Sequence, residues 1–240
     1  MRHPFKTFLS YSIPCLLILF SSSKILADDS NAQSQLKQMY KTYCDSPSDI
    51  NEHIPVLRDL ASECSSVVEI GIRDMVSSWG ILQGLSESYG DNRSYTGIDI
   101  FSPPQSKLEL ANTLTESLGI SFQFMQADDM TIDLMPTDML FIDSLHTYCH
   151  LTYELETFSP KIRKFIAMHD TSAPWGHQDD SDYRGNYSEY PSEIDRNKRG
   201  LWPAVQDFLA NHPEWQLRER RLNNHGLTIL ERVSDQEEKK

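Results

Sequence analysis

Residues 138–148 read D-M-L-F-I-D-S-L-H-T-Y, and residues 164–171 read K-F-I-A-M-H-D-T. Each stretch contains a short apolar run that ends in side chains able to bind a metal or move a proton. Unbroken apolar runs are typical of buried parallel strands, and parallel sheets bind ligands at the carboxyl ends of their strands. The pattern therefore predicts a divalent-metal site and a proton-transfer base at one sheet edge. The four residues concerned are Asp143, His146, His169 and Asp170.

Strand-like and helix-like segments alternate along most of the chain. This alternation predicts an α/β fold in which helices cover both faces of a mostly parallel sheet. The last two strands are joined by residues 222–225, which is short enough to predict an antiparallel pair. The predicted strands are residues 67–70, 95–98, 121–125, 139–142, 165–168, 215–220 and 226–232. The predicted helices are residues 33–43, 54–60, 76–88, 107–118, 148–158 and 201–210.

The bulk composition limits the function classes that fit. The chain has 240 residues, enough for one domain with a substantial core. Its 22 basic and 35 acidic residues give a net charge of −13, which argues against a general nucleic-acid binder. Two states of the cysteines stay open: a Cys44–Cys64 disulfide, or free thiols at Cys44, Cys64 and Cys149.

The N-terminus has the pattern of a secretory signal. Basic residues precede an apolar run at residues 8–20, and Ala27 offers a cleavage point. The run is shorter than the roughly 20 residues of a membrane span, and Pro14 interrupts it. We therefore expect an exported protein, periplasmic or secreted, with no stable membrane span after cleavage. An uncleaved membrane anchor is the alternative.

Residues 172–200 break the alternation. They are rich in Gly, Pro, Ser, Asp and Tyr, have no apolar period, and are too many for an ordinary connection. Because they follow Asp170 directly, we predict that they form a lid over a substrate. The aromatic residues Trp175, Tyr183 and Tyr187 are candidates to stack on that substrate.

The segment V-V-E-I-G-I-R-D-M-V-S-S-W-G, residues 67–80, predicts a ligand-binding turn between a strand and a helix. Gly71 allows a sharp turn and close approach of a ligand. Ser77 lies near the helix start, where free N–H groups favour a carboxylate. Glu69 lies near the strand's end. Asp99 ends the next strand, where a carboxylate can accept both hydroxyls of a ribose.

The ligand expected at this edge is a nucleoside without phosphates. Asp128 and Asp129 follow the third strand, where a nucleobase would lie. A dinucleotide would require G-x-G-x-x-G, whereas this turn has the single glycine Gly71, and Asp74 stands where a pyrophosphate would lie.

With these residues in order, the chain resembles class I S-adenosylmethionine-dependent methyltransferases. More narrowly, it resembles the metal-dependent O-methyltransferases of macrolide sugars, a group that includes the cephalosporin-hydroxylase-like proteins. The resemblance covers roughly residues 66–232. It implies a Rossmann-like methyltransferase fold of seven strands, six parallel and the last antiparallel. The motifs are E-I-G-I-R-D-M-V-S-S-W, Y-T-G-I-D-I, F-I-D-S-L-H-T-Y, M-H-D-T and N-N-H-G-L-T-I-L-E-R.

The sequence pattern and the resemblance together divide the chain. A signal peptide (1–27), predicted from the basic and apolar N-terminus, is followed by a helical lead-in (28–65). The methyltransferase domain (66–233) then carries the lid-like insertion, and a polar tail (234–240) ends the chain.

The resemblance implies how each residue would meet S-adenosylmethionine. Glu69, Gly71 and Ser77 would hold its methionine part. Asp99 would bind the ribose, and Asp128 would lie beside the adenine.

The resemblance further implies that Asp143 and Asp170 bind magnesium and that His146, with a near-neutral pKa, is the general base. In the relatives an acid commonly precedes the second metal aspartate, whereas here that residue is His169, a further candidate ligand. Imidazole suits manganese, iron or zinc better than magnesium, so the metal, Mg or Mn, stays open. His177, His212 and His225 have no pattern beyond loop or surface positions.

The expected activity is metal-assisted methyl transfer from S-adenosylmethionine to a hydroxyl of a small molecule or glycan. Two alternatives stay open. One is an exported binding or structural protein that no longer methylates, and the other is a different metal-assisted activity such as hydroxylation or hydrolysis. The predicted export conflicts with this expected activity, because S-adenosylmethionine is made and used in the cytosol.

Overall fold

The computed structural model describes residues 16–181 and 187–233. The strands are β1 (Ser66–Ile70), β2 (Ser94–Asp99), β3 (Ser121–Gln126), β4 (Thr137–Ile142), β5 (Ile162–His169), β6 (Trp215–Arg221) and β7 (Leu227–Arg232). The α-helices are α1 (Leu16–Asp45), α2 (Ile54–Ser62), α3 (Val76–Glu87), α4 (Gln105–Ser117), α5 (Tyr148–Phe158) and α6 (Leu201–Asn211). Short 3-10 helices lie at Asn51–His53, Asp129–Thr131, Ser159–Lys161 and Tyr187–Glu189.

All seven strands form one sheet in the order β3-β2-β1-β4-β5-β7-β6. Strands β1 to β5 pair in parallel. Strand β7 is antiparallel to both of its neighbours, β5 and β6. The predicted seven-stranded α/β sheet with one reversed strand at the end of the chain is therefore confirmed.

The central strands are buried on both faces, as their apolar runs predict. Met139 and Phe141 of β4 belong to one core, which α1, α2, α3 and α4 complete. Leu140 and Ile142, which point to the opposite face, belong to a second core with α5 and α6. Side chains alternate across a strand, so β4 supplies both cores and the helices cover both faces.

Each predicted helix and strand is present, and most bounds shift by only a few residues. The largest change is the helix predicted at residues 33–43, which is part of the 30-residue helix α1. Residues 1–15 and the tail at 234–240 lie outside the described residues, so the signal peptide stays a prediction. Cys44, Cys64 and Cys149 are free thiols.

Among the described residues, no helix is both long and apolar enough to span a membrane.

Two glycines one turn apart bring α2 directly against α3. A Cβ atom at Gly80 would lie 2.5 Å from Ile54 Cγ2, and one at Gly84 would lie 2.2 Å from the backbone oxygen of Arg58. Backbone atoms cannot move aside as a flexible side chain can. The packing of the helices behind β1 therefore depends on these two small residues.

The substitution Gly84→Ala tests this packing. Alanine normally favours a helix, but here its methyl group must push two helices apart, at a cost of roughly 1–3 kcal/mol. We expect the Tm to fall by several degrees in thermal unfolding. The matched control, Asn112→Ala at an exposed position of α4, should leave the Tm unchanged or raise it. A Gly84→Ala protein as stable as the wild type would contradict this account.

Candidate functional site

The site lies where the strand order reverses, between β1 and β4. Gly71 follows β1 and Asp143 follows β4, and the two backbones almost touch. A Cβ atom at Gly71 would lie 2.0 Å from the backbone oxygen of Asp143, and Gly71 has φ +85°. Both facts require glycine at this position. Chains that diverge at such a switch point leave a crevice at the carboxyl edge of the sheet.

A cavity of about 390 Å³ occupies this crevice. This volume falls within the range of about 300–1,000 Å³ found for small-molecule sites. Three residues predicted to bind S-adenosylmethionine line it: Gly71, Asp99 and Asp128. Asp143, predicted to bind metal, also lines it. Residues of the predicted cofactor site and of the predicted metal site therefore line the same cavity.

Backbone hydrogen bonds hold Asp99 at the end of β2. Its Oδ2 accepts from Arg73 N and its Oδ1 from Phe101 N, both at 2.8 Å. Each carboxylate oxygen can accept a second bond, so both remain able to accept hydroxyls. Asp128 is exposed, and its Oδ1 caps the following 3-10 helix by accepting from Met130 N at 2.9 Å.

Glu69 and Ser77 do not line the cavity. Glu69 is fully buried, and its carboxyl accepts hydrogen bonds from the Ser77 hydroxyl and, at 2.5 Å, from the Tyr95 hydroxyl. Burial raises the pKa of Glu69 to about 7, although these two hydrogen bonds oppose the rise. Both residues tie the end of β1 to the start of α3 and so support the turn at Gly71. Their direct contact with a cofactor stays a prediction.

The turn itself departs from a glycine-rich pattern. Arg73 and Met75 have φ +39° and +61° without being glycine. Positive φ is strained for such residues and persists only where the surroundings enforce it. Met75 is fully buried, so core packing holds this conformation.

The three predicted metal ligands come together at the ends of β4 and β5. One ligand atom from each of Asp143, His169 and Asp170 lies within 4.8 Å of the others. His169 Nδ1 is 3.2 Å from Asp143 Oδ1 and 3.1 Å from Asp170 Oδ2. Two carboxylates and one imidazole are a suitable donor set for a divalent transition metal.

The other nitrogen of His169 fixes how this ring can act. Its Nε2 lies 3.1 Å from the backbone oxygens of both Asp49 and Asn224. Carbonyl oxygens only accept hydrogen bonds, so Nε2 carries a hydrogen and Nδ1 faces the carboxylates. A backbone carbonyl that orients the ring in this way is usual for a metal-binding histidine. The geometry of His169 therefore fits a ligand role.

His146 lies against the same carboxylates. Its Nε2 is 2.9 Å from Asp170 Oδ2, and its ring stacks on Trp175 with the ring centres 5.7 Å apart. Burial lowers the pKa of His146, but hydrogen bonds and charge from Asp143 and Asp170 prevail and raise it to about 9. This differs from the expected near-neutral value. Beside these two carboxylates, the raised pKa of His146 favours the protonated imidazole at neutral pH.

His225 is a part of the site that sequence reasoning missed. Its Nδ1 lies 3.0 Å from Asp170 Oδ1. The residue stands in the turn between β6 and β7. Because β7 pairs antiparallel with β5, this turn lies beside the carboxyl end of β5. The sequence predicts the antiparallel pair of β6 and β7, and their turn had to lie at this edge of the sheet. His225 could have been found from that prediction.

The predicted lid is anchored beside the site by Asp179. This carboxylate accepts from the Tyr148 backbone N–H and from the Tyr187 hydroxyl, both at 2.9 Å. Tyr187 therefore helps to hold the loop, while Trp175 packs on the site. Tyr183 lies outside the described residues.

Comparisons with known proteins gave similarity only at the level of solved structures. No protein-family model matches the chain, and no curated protein matches its sequence. The O-methyltransferase TomG from Streptomyces achromogenes, in complex with S-adenosylmethionine, is 15% identical, with a TM-score of 0.49 over 85% of this chain and 90% of that chain. The O-methyltransferase from Bacillus cereus, in complex with S-adenosylhomocysteine, is 12% identical, with a TM-score of 0.47 over 85% and 91%.

A third similar structure is the N-terminal domain of EvdMO1 in the presence of S-adenosylhomocysteine and D-fucose. It is 12% identical, with a TM-score of 0.44 over 79% of this chain and 84% of that chain. The first two of these proteins are O-methyltransferases. At such identities and TM-scores, the likeness gives no information on what this chain binds or acts on.

The buried carboxyl of Glu69 predicts a pH-dependent stability. Its pKa is raised from 4.5 to about 7 on folding. The neutral form therefore stabilises the folded state below pH 4.5, and this contribution is lost as the pH rises through 7, in total roughly 3 kcal/mol. Glu69→Gln stays neutral at every pH, so we expect it to gain stability relative to the wild type between about pH 5 and about pH 8. Denaturant unfolding at both pH values measures the difference.

The exposed-site variant Glu116→Gln is the matched control and should follow the wild type at both pH values. If the free energy of unfolding differed between wild type and Glu69→Gln by the same amount at both pH values, folding would not raise the pKa of Glu69. That result would contradict the prediction.

Proposed function

We propose that this protein transfers a methyl group from S-adenosylmethionine to a hydroxyl of a small molecule or glycan, assisted by a divalent cation. One observation carries the proposal. Asp143 borders the cavity that contains Asp99 and also belongs to the cluster with His169 and Asp170. A nucleoside cofactor in the cavity and a hydroxyl at the cluster would be neighbours, as methyl transfer requires.

The cavity supplies what a nucleoside cofactor needs from the chain. Asp99 offers two held carboxylate oxygens to the ribose hydroxyls. Gly71 leaves room beside the backbone, where any side chain would collide with Asp143. Asp128 stands at the opposite end of the cavity lining, after β3. S-Adenosylmethionine, when bound, supplies the methyl group.

The cluster supplies what activation of a hydroxyl needs. Asp143, His169 and Asp170 would hold a divalent cation, which when bound lowers the pKa of a coordinated hydroxyl. That cation would offset the charge of Asp143 and Asp170 and so lower the pKa of His146 from about 9. With its Nε2 hydrogen directed at Asp170, the neutral imidazole would accept the proton of the acceptor hydroxyl at Nδ1. Asp170 then stabilises the imidazolium. Stacking on Trp175 keeps the ring in place.

The signal-like N-terminus supports export, which is part of the proposal. The same feature supports a second candidate function, an exported protein that keeps the scaffold but no longer methylates. Binding of the cofactor separates the two functions, because only the enzyme requires it.

Cofactor binding is tested with Asp99→Ala. Loss of two hydrogen bonds to a charged group, each worth about 1.5–3 kcal/mol, should weaken binding of S-adenosylhomocysteine at least tenfold in calorimetric titration. Asp133→Ala, which removes an exposed carboxylate elsewhere, is the control and should bind as the wild type does. Equal affinity in Asp99→Ala and the wild type would refute the assigned ribose site.

Catalysis is tested with His146→Gln and Asp170→Asn, because neither residue lines the cavity. We expect each to lower methyl transfer by about 10²-fold or more while S-adenosylhomocysteine still binds. Transfer of labelled methyl from S-adenosylmethionine to a panel of sugar, phenol and aliphatic hydroxyls provides the measurement. His212→Gln, at the end of α6, is the control. Undiminished transfer in both variants would exclude the proposed roles.

A further inference from the structure

A second group of metal-ligating side chains lies near the first, since its member Glu154 lines the same small cavity as His169. Asp129 comes from the 3-10 helix after β3, and His150 and Glu154 lie one turn apart on α5. One ligand atom from each residue lies within 4.8 Å of the others, and all three residues are buried. Asp129 and His150 also line the 390 Å³ cavity. Asp129 follows the strand where a nucleobase is expected, but neither the sequence motifs nor the proposed reaction gives His150 and Glu154 a role.

The carboxyl groups of Glu154 and Asp129 meet directly. Glu154 is fully buried, and its Oε1 accepts from the Ser144 hydroxyl at 2.7 Å. Its Oε2 accepts no hydrogen bond from an N–H or hydroxyl group of the described residues, and the carboxyl shares a hydrogen bond with that of Asp129. Such a pair requires a proton between the two groups. His150 Nε2 lies 3.9 Å from Glu154 Oε1 and 2.8 Å from Asp129 Oδ2, so the imidazole nitrogen faces both carboxyl groups.

The group has one basic partner and two acids. Among the described residues, His150 is the basic side chain within 4.0 Å of Asp129 and Glu154, and no lysine or arginine nitrogen comes that close. One imidazole can balance one carboxylate at most, so the second carboxylate requires a proton or a bound cation. Burial and the charge of Asp129 raise the pKa of Glu154 well above its ordinary value, which describes the state with a proton. A cation would displace that proton.

We propose that Asp129, His150 and Glu154 form a second metal site, which takes Zn²⁺ and lies in the wall of the cofactor cavity. Zinc sites that keep a position open have three protein ligands, and Asp, Glu and His side chains all bind zinc. That position faces the cavity. His150 Nδ1 lies 3.0 Å from the Tyr190 hydroxyl, and this contact orients Nε2 toward the other two ligands, as outer partners of metal-binding histidines do.

A cation at this site would join two separate parts of the fold. Asp129 belongs to the wall of the cavity, whereas His150 and Glu154 belong to α5. The ion would fix the loop after β3 against α5 and hold the side of the cavity that Asp128 also lines.

The zinc content of the protein tests this proposal. The full chain is dialysed against ZnCl₂, and the number of zinc ions bound per chain is measured by elemental mass spectrometry. We expect two zinc ions per wild-type chain, one in Glu154→Gln, one in Asp170→Asn, and none in the double variant. Glu156→Gln, an exposed carboxyl on the same helix, should keep two. Equal zinc in Glu154→Gln and the wild type would overturn the proposal, as would complete loss of zinc in Asp170→Asn.

A second measurement tests the proposed zinc site even if Glu154→Gln fails to fold. In the Asp170→Asn background, zinc should still raise the Tm through the proposed site, and adding Asp129→Asn should abolish the rise. A Tm of Asp170→Asn that does not respond to zinc would overturn the proposal. Binding of S-adenosylhomocysteine is measured separately, so failure here leaves the proposed methyltransferase function standing.

Discussion

The close approach of Gly71 to the Asp143 carbonyl is the constraint on which the rest of the site depends. A single added carbon at Gly71 would lie 2.0 Å from that oxygen. Because the backbones of β1 and β4 meet so tightly and then diverge, a crevice forms at the carboxyl edge. The same contact places the side chain of Asp143 on the boundary between the cavity and the metal-ligating cluster. Cofactor site and chemistry are thus joined through one backbone contact.

The negative charges of Asp143 and Asp170 determine the protonation of the histidines in the metal-ligating cluster. Asp143 is partly buried and Asp170 is buried. Three imidazoles lie around their carboxylates, those of His146, His169 and His225. Without a cation, the carboxylates raise the pKa of His146 to about 9 against the effect of burial, so protons supply the missing positive charge. In the proposed reaction, a divalent cation would replace those protons. Metal binding and the ability of His146 to accept a proton would then be coupled.

Much of this arrangement could be predicted from the sequence, because strand ends are local features. Asp143 and Asp170 follow apolar runs, and parallel pairing then brings them together. His225 was missed because its place depends on the pairing of β7 with β5. The burial of Glu69 away from the cavity depends on which face of β1 meets α3. The group around Glu154 joins residues that no motif connects, so only the folded chain reveals it.

The most direct test of the account is a crystal structure of the protein soaked with S-adenosylhomocysteine. The account predicts ligand density in the cavity between β1, β2 and β4, with the ribose hydroxyls on Asp99 and the sulfur directed at the side of Asp143. Well-diffracting crystals with an unchanged, ligand-free cavity at saturating S-adenosylhomocysteine would contradict it, as would a ligand bound elsewhere on the chain.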